Sequence, residues 1–194
     1  MKTECNNGNG QRKEMSIGSF RVVSGRLVVS DPCYEIGAGS QGFLEKVRKG
    51  EWVCRVTVAQ GGDFDKYIME LTAHRSRLPT FDDLGWTKET PFYVDVDSGQ
   101  AGIFDMAHYR DDRIAETVQR LSDEEICPEE PWYSVCCDRT MSGELGAGII
   151  PYGVVSSSGF GDGSYQCFTQ RDSDGYVIGV KIVFIKDLEV GTST

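Results

Sequence analysis

Histidine is scarce in this chain: His74 and His108 are the only two in 194 residues, and no apolar run is long enough to cross a bilayer as a helix. Neither imidazole has neighbours diagnostic of catalysis, although His108 follows Asp105 by three residues and adjoins Tyr109. No Gly-x-Ser-x-Gly elbow accompanies Ser98 or Ser158, so a serine hydrolase has no support. The start, Met1-Lys2-Thr3-Glu4-Cys5-Asn6-Asn7-Gly8, has no apolar segment of the kind a secretion signal needs, and the expected compartment is the cytoplasm. The seven cysteines include no Cys-x-x-Cys, and Cys136 and Cys137, read as strand neighbours, point to opposite faces. They read as reduced structural thiols. Cys33 would be a nucleophile only if an imidazole approached it.

Other signatures are missing as well. No glycine cluster is followed by the Lys-Ser/Thr of a phosphate-binding loop. The series Gly159-x-Gly161-x-Gly163 lacks dinucleotide spacing and leads into a strand, where a Rossmann site needs a helix. Asp172-Ser173-Asp174-Gly175 resembles the middle of a calcium loop, but Lys181 stands where the closing carboxylate belongs. No cofactor is expected.

Basic residues are outnumbered 20 to 30, giving a net charge of −10, the wrong sign for a general nucleic-acid or anionic-membrane binder. Much of the acidity lies between 105 and 130: Asp105, Asp111, Asp112, Glu116, Asp123, Glu124, Glu125, Glu129 and Glu130, against Arg110, Arg113 and Arg120. That stretch reads either as a solvated face or as an interaction surface for a basic partner protein. The 39% apolar content supports one core, and 23 glycines favour turns and bulges over long helices.

Residues 1–16 are polar and aperiodic, a tail ahead of a single β-rich domain over 17–190, with a second tail over 191–194. Phe20–Val23 and Arg26–Val29 around Ser24-Gly25 predict a hairpin. Leu44 and Val47, between Ser40 and Gly50, predict a short helix, and Thr80–Asp83 a single helical turn. Trp52–Val58 and Phe92–Val96 read as strands; Ile114, Val118 and Leu121 as one face of a short helix. Trp132–Cys137 and Gly148–Val155 read as strands, with Pro151 restricted to an edge, an end or a bulge. Ser164–Arg171 and Tyr176–Ile185 flank the Asp172–Gly175 turn as a hairpin whose last strand, apolar on both faces, should be central. The fold expected is α+β and strand-dominated: one domain with a mostly antiparallel, sandwich-like sheet core and two or three short helices.

Ser158-Gly159-Phe160-Gly161-Asp162-Gly163-Ser164-Tyr165 is the densest motif, three alternating glycines around one carboxylate. It reads as a tight turn whose aspartate bonds its own backbone, or as a loop offering N–H groups to a ligand. Other turn carboxylates are Asp31 before Pro32, Asp97 in Asp97-Ser98-Gly99-Gln100, and Asp105. Convergence of these groups with Tyr34, Gln100 and Tyr165 would make a polar pocket, so the candidate ligand-binding set is Asp31, Tyr34, Asp97, Ser98, Gln100, Asp105, Gly161, Asp162, Gly163 and Tyr165.

Asp31-Pro32-Cys33-Tyr34, Asp97-Ser98-Gly99-Gln100-Ala101-Gly102 with Asp105, and Gly159-Phe160-Gly161-Asp162-Gly163-Ser164-Tyr165 together resemble the bacterial and phage domain-of-unknown-function family numbered 4241, over roughly residues 18 to 185. Gln166-Cys167-Phe168 stand where members of that family often have Pro-Val-Tyr. The resemblance groups the three motifs and implies phage or mobile-element biology; it implies no substrate. The expected function is a non-enzymatic accessory protein that holds a small polar ligand or a partner's loop at the Gly/Asp-rich site. The alternatives are a metal-assisted, phosphoesterase-like hydrolase using Asp31, Asp97, Asp105 and Asp162, with Arg139 or Arg171 as phosphate counter-ion, and an acidic protein-interaction module over 105–130.

Overall fold

The computed structural model describes residues 11–60, 66–76, 86, 91–122 and 129–186. Two antiparallel sheets face each other. One has six strands in the order β1 (Gln11–Val22), β4 (Gly50–Gln60), β5 (Ile68–Arg75), β11 (Val177–Val183), β10 (Gly163–Arg171), β6 (Phe92–Val96). The other has five: β3 (Gly42–Leu44), β2 (Leu27–Ser30), β7 (Gln100–Asp105), β9 (Gly153–Ser157), β8 (Ala147–Ile150). Two helices, α1 (Asp112–Ala115) and α2 (Pro131–Met141), complete an open, sandwich-like arrangement of the class expected. No helix among the described residues is long and apolar enough to cross a membrane.

Alternation builds the inner core. Trp52, Cys54, Val56 and Val58 of β4 point inward with Leu71 and Ala73 of β5 and Val180 and Ile182 of β11, meeting Leu27, Val29, Ile103 and Val154 of the smaller sheet. A second core lies on the outer face of that smaller sheet. Phe104, Tyr109 and Trp132 pack with ring centroids 5.1–5.4 Å apart, and α2 adds Val135 and Cys136. The Phe104 ring lies across Gly102, where an added Cβ would fall 2.1 Å from the ring and 2.6 Å from the Val154 carbonyl oxygen. Gly102→Ala should therefore cost about 2 kcal/mol in urea unfolding, because the carbonyl sits in a β-ladder and cannot withdraw.

The expected β10–β11 hairpin is present, closed by Asp172, which accepts from the backbone N–H groups of Asp174 and Tyr176, and β11 is central. Pro151 occupies the turn between β8 and β9. Several expectations need correction. Phe20–Val23 and Arg26–Val29 are not hairpin partners: β1 and β2 belong to different sheets, and the corner between them is held where Asp105 accepts from the N–H groups of Val23 and Ser24. Ser40–Gly50 is not a helix. Gly42–Leu44 is an edge strand, Val47 bridges to Val177, and Lys46 has φ 54°, so the helical spacing of Leu44 and Val47 is coincidental.

Trp132–Cys137 is helix, not strand. Its aromatic and branched residues favour strands locally, but Trp132, Val135 and Cys136 are all buried at helical spacing and Pro131 begins the first turn. The helix expected through Leu121 stops at Ala115, and Leu121 is exposed. Residues 11–16, expected as tail, pair with β4. Thr80–Asp83, Cys5 and Cys127 lie outside the described residues.

Candidate functional site

Strand directions bring one end of the smaller sheet together. β2 ends at Ser30, β7 begins at Gln100 and β9 ends at Ser157, with Ser30 opposite Gly102 and Gln100 opposite Ser157. The chain leaving β2, the β6–β7 turn and the β9–β10 loop therefore meet at that end.

Asp31 is the centre of this meeting and is fully buried. Its Oδ1 accepts from the Cys33 N–H at 2.8 Å and the Ser98 hydroxyl at 2.6 Å; its Oδ2 accepts from the N–H groups of Asp97 at 2.9 Å and Ser98 at 2.8 Å. Four donors satisfy the carboxylate, binding the β2 exit to the β6–β7 turn across 66 residues of chain. Tyr34 closes the same loop from outside, donating to Asp97 Oδ2 at 2.6 Å, and that bond raises its phenol above the ordinary range.

The glycine-rich loop joins through Gly99. The Gly99 N–H donates to Asp162 Oδ1 at 3.1 Å, and the Ser158 N–H donates to the Gly99 carbonyl at 3.0 Å. Within the loop, the Ser158 hydroxyl donates to the Gly161 carbonyl, and the Tyr165 hydroxyl lies 2.7 Å from that carbonyl and 2.9 Å from that of Ser158. Gly159 at φ 60° and Gly161 at φ 106° take backbone conformations that other residues resist. Gly163 opens β10 opposite Val96.

Two of the expected site residues lie elsewhere. Gln100 is buried and turned toward α2, where it accepts from the Thr140 hydroxyl at 2.9 Å and its amide lies 3.4 Å from the Cys137 sulfur. Asp105 sits at the opposite end of β7, about 17 Å away at ordinary strand rise. There it is fully buried, accepting from Val23, Ser24 and Ala107 N–H groups. The strand that carries both Gln100 and Asp105 also separates them, one at each end.

A model of the family described as "Protein of unknown function (DUF4241)" matches residues 20–182, from within β1 to within β11. The chain belongs to DUF4241. The three motifs that meet as a clasp around Asp31 and Gly99, at the β2 exit, the β6–β7 turn and the β9–β10 loop, all fall inside the matched span. No curated protein and no solved structure matches the chain.

Sequence reading missed Tyr109 and Arg110 in this DUF4241 fold. The buried Tyr109 hydroxyl is 2.7 Å from the Tyr34 carbonyl and 3.0 Å from that of Asp31, and Arg110 donates to the Pro32 carbonyl at 2.8 Å while pairing with Glu35 and Glu130. No local pattern marks either residue, because the carbonyls they bind lie more than seventy positions away.

The chemistry available at the clasp is limited. Burial, followed by the hydrogen bond and charge of Asp31, pushes the half-buried Cys33 thiol up to about 12, so it stays protonated near neutral pH. Alkylation of Cys33 by iodoacetamide at about pH 7.5 should be at least ~100-fold slower than that of glutathione, followed by peptide mass spectrometry. Among the described residues, no three His, Cys, Asp or Glu side chains gather as a metal site requires. Neither arginine suggested as a phosphate counter-ion adjoins the clasp: Arg139 binds Asp138 and the carbonyls of Gln119 and Ile149, and Arg171 binds the Gly175 carbonyl. The acidic stretch is partly spent internally. Asp111 binds Arg113, Asp112 accepts from the Trp132 N–H, and Glu130 pairs with Arg110, while Asp123, Glu124 and Glu125 lie outside the described residues.

Proposed function

We propose that this DUF4241 protein is a non-catalytic binding protein that receives a small polar ligand, or a loop of a partner protein, on the rim formed by Tyr34, Asp97, Gly99, Phe160 and Asp162. The observation that carries the reading is the four-donor seat of Asp31, which fixes the rim's backbone before any ligand arrives and so lowers the ordering cost of binding. Asp97 and Asp162 are exposed on either side of the Gly99 turn, and Phe160 presents an exposed ring against Tyr67 at 5.3 Å. Such a rim offers acceptors beside an apolar platform. It suits a ligand with hydroxyl, ammonium or guanidinium donors. Catalysis is the weaker reading, since the Ser98 hydroxyl spends its proton on Asp31 and the Cys33 thiol is not ionised.

A thermal-shift series on wild type and Asp162→Asn, with sugars, nucleotides and divalent ions, tests the proposal. The expected result is a metal-independent rise in Tm that Asp162→Asn loses, while the unliganded variant melts close to wild type because Asp162 is exposed. A rise that appears only with a divalent ion would favour the hydrolase reading.

A further inference from the structure

The opposite end of the sandwich carries a groove of about 890 Å³ between the end of β1, the residues around α1 and the β8–β9 turn. It continues past Ser19–Arg21 into a second hollow of about 540 Å³ beside β4 and β5. The first volume is of the size that holds a small organic molecule. One wall is apolar, formed by Val118, Ile149 and Pro151, with His108 stacked on Tyr152 at 3.8 Å. Tyr152 has φ 63°, a conformation costly for an aromatic residue, and the Asp105 N–H holds it by donating to its carbonyl at 2.8 Å.

Charge distinguishes this groove from the rest of an acidic chain. Arg21, Arg75, Arg113 and Arg139 line the two hollows, against Glu51 and Asp111. Arg113 is occupied by Asp111, and Arg139 by Asp138. Arg21 stands exposed where the hollows join, opposite Glu51 in the β1–β4 ladder, and its side chain makes no hydrogen bond or ion pair among the described residues. Arg75 donates to the Glu51 carbonyl and the Ser76 hydroxyl and has no carboxylate partner among the described residues, and the nearby Glu51 carboxylate accepts from the Ser19 hydroxyl. A net positive groove persists on a protein of charge −10.

We propose that this groove binds a small amphipathic anion, with its ring or chain on the Val118, Ile149 and Pro151 wall and its carboxylate, sulfonate or phosphate at Arg21. The site is independent of the rim, because β7 separates them by its whole length.

The test is an amide NMR titration with 1-naphthoate and, separately, with 1-naphthylmethylammonium, the same rings carrying opposite charge. The expected result is a Kd for naphthoate on the order of 0.1–1 mM, with shifts confined to residues 19–21, 108–118 and 149–152, and binding of the ammonium at least roughly tenfold weaker. Arg21→Glu should invert that preference without unfolding the protein, since Arg21 is exposed. Thr117→Trp, which fills the groove from an exposed position, should abolish both. Equal affinity for the two compounds would mean an apolar patch only and overturn the proposal. So would shifts centred on residues 97–102, or no shift at about 10 mM naphthoate. Asp162→Asn should leave this titration unchanged, so failure here and failure of the rim reading are distinguishable.

Discussion

Replacing Asp31 with alanine should lower the stability of the protein by about 3–5 kcal/mol, and its Tm by about 10 °C or more. The variant removes one acceptor group and strands three backbone N–H groups and the Ser98 hydroxyl. Each donor left dry costs about 1–3 kcal/mol, reduced here because Cys33 and Ser98 are only half-buried and water can reach some of them. Asp31→Asn should recover part of the loss, to about 2 kcal/mol, since the amide oxygen keeps one pair of donors while its NH₂ faces the other. Urea unfolding of the three proteins checks the order. An Asp31→Ala variant within 0.5 kcal/mol or so of wild type would mean that the carboxylate holds nothing together.

The second large effect is expected at Asp138, whose carboxylate is fully buried beneath the α1–α2 connection. It accepts from the N–H groups of Leu121 and Ser122 and from the Ser122 hydroxyl, and pairs with Arg120 at 3.2 Å and Arg139 at 2.6 Å. Asp138→Asn should cost about 3 kcal/mol, because two largely buried guanidinium groups lose their counter-charge. The same site gives the protein an acid limit. Burial opposes ionisation of Asp138, but the donors from Leu121, Ser122 and Arg120 outweigh it, and its pKa lies below the ordinary 3.8. Asp172 is lowered in the same way, burial again opposing and Arg48 leading the groups that prevail.

A carboxyl group whose pKa is lower in the folded state contributes its full stability above the unfolded value and loses it as pH falls through the folded one. Urea midpoints should therefore be flat from about pH 7 to 5 with respect to these groups and fall steeply below about pH 4. Asp138→Asn should show a shallower fall, and an unchanged slope would remove Asp138 from the explanation.

Much of the sheet was legible because alternation is a local signal. Trp52 to Val58 and the strands around Asp172–Gly175 reveal themselves by side-chain period and by glycine at the turn, needing no knowledge of the partner strand. α2 was not legible: Trp132, Tyr133, Val135 and the two cysteines have strand character, and only burial on the outer face of the smaller sheet makes them helical. The clasp was half legible. Asp31-Pro32, Asp97-Ser98-Gly99 and Gly161-Asp162-Gly163 announce turns, but their meeting depends on which strand ends share an edge of the sandwich. Asp105 shows the limit of such reading, since the six residues of β7 carry it from the clasp to the corner at Val23 and Ser24.

Amide hydrogen exchange at Asp97 and Ser98 tests the prebuilt rim most directly. Both amides lie in a surface turn that would ordinarily exchange in local openings, yet both donate to buried Asp31. If Asp31 fixes the rim, they should exchange within about tenfold of the slowest amides of β7, requiring cooperative unfolding of the domain. Exchange at the rate of an open loop would contradict a preorganised site and, with it, the binding function built upon it.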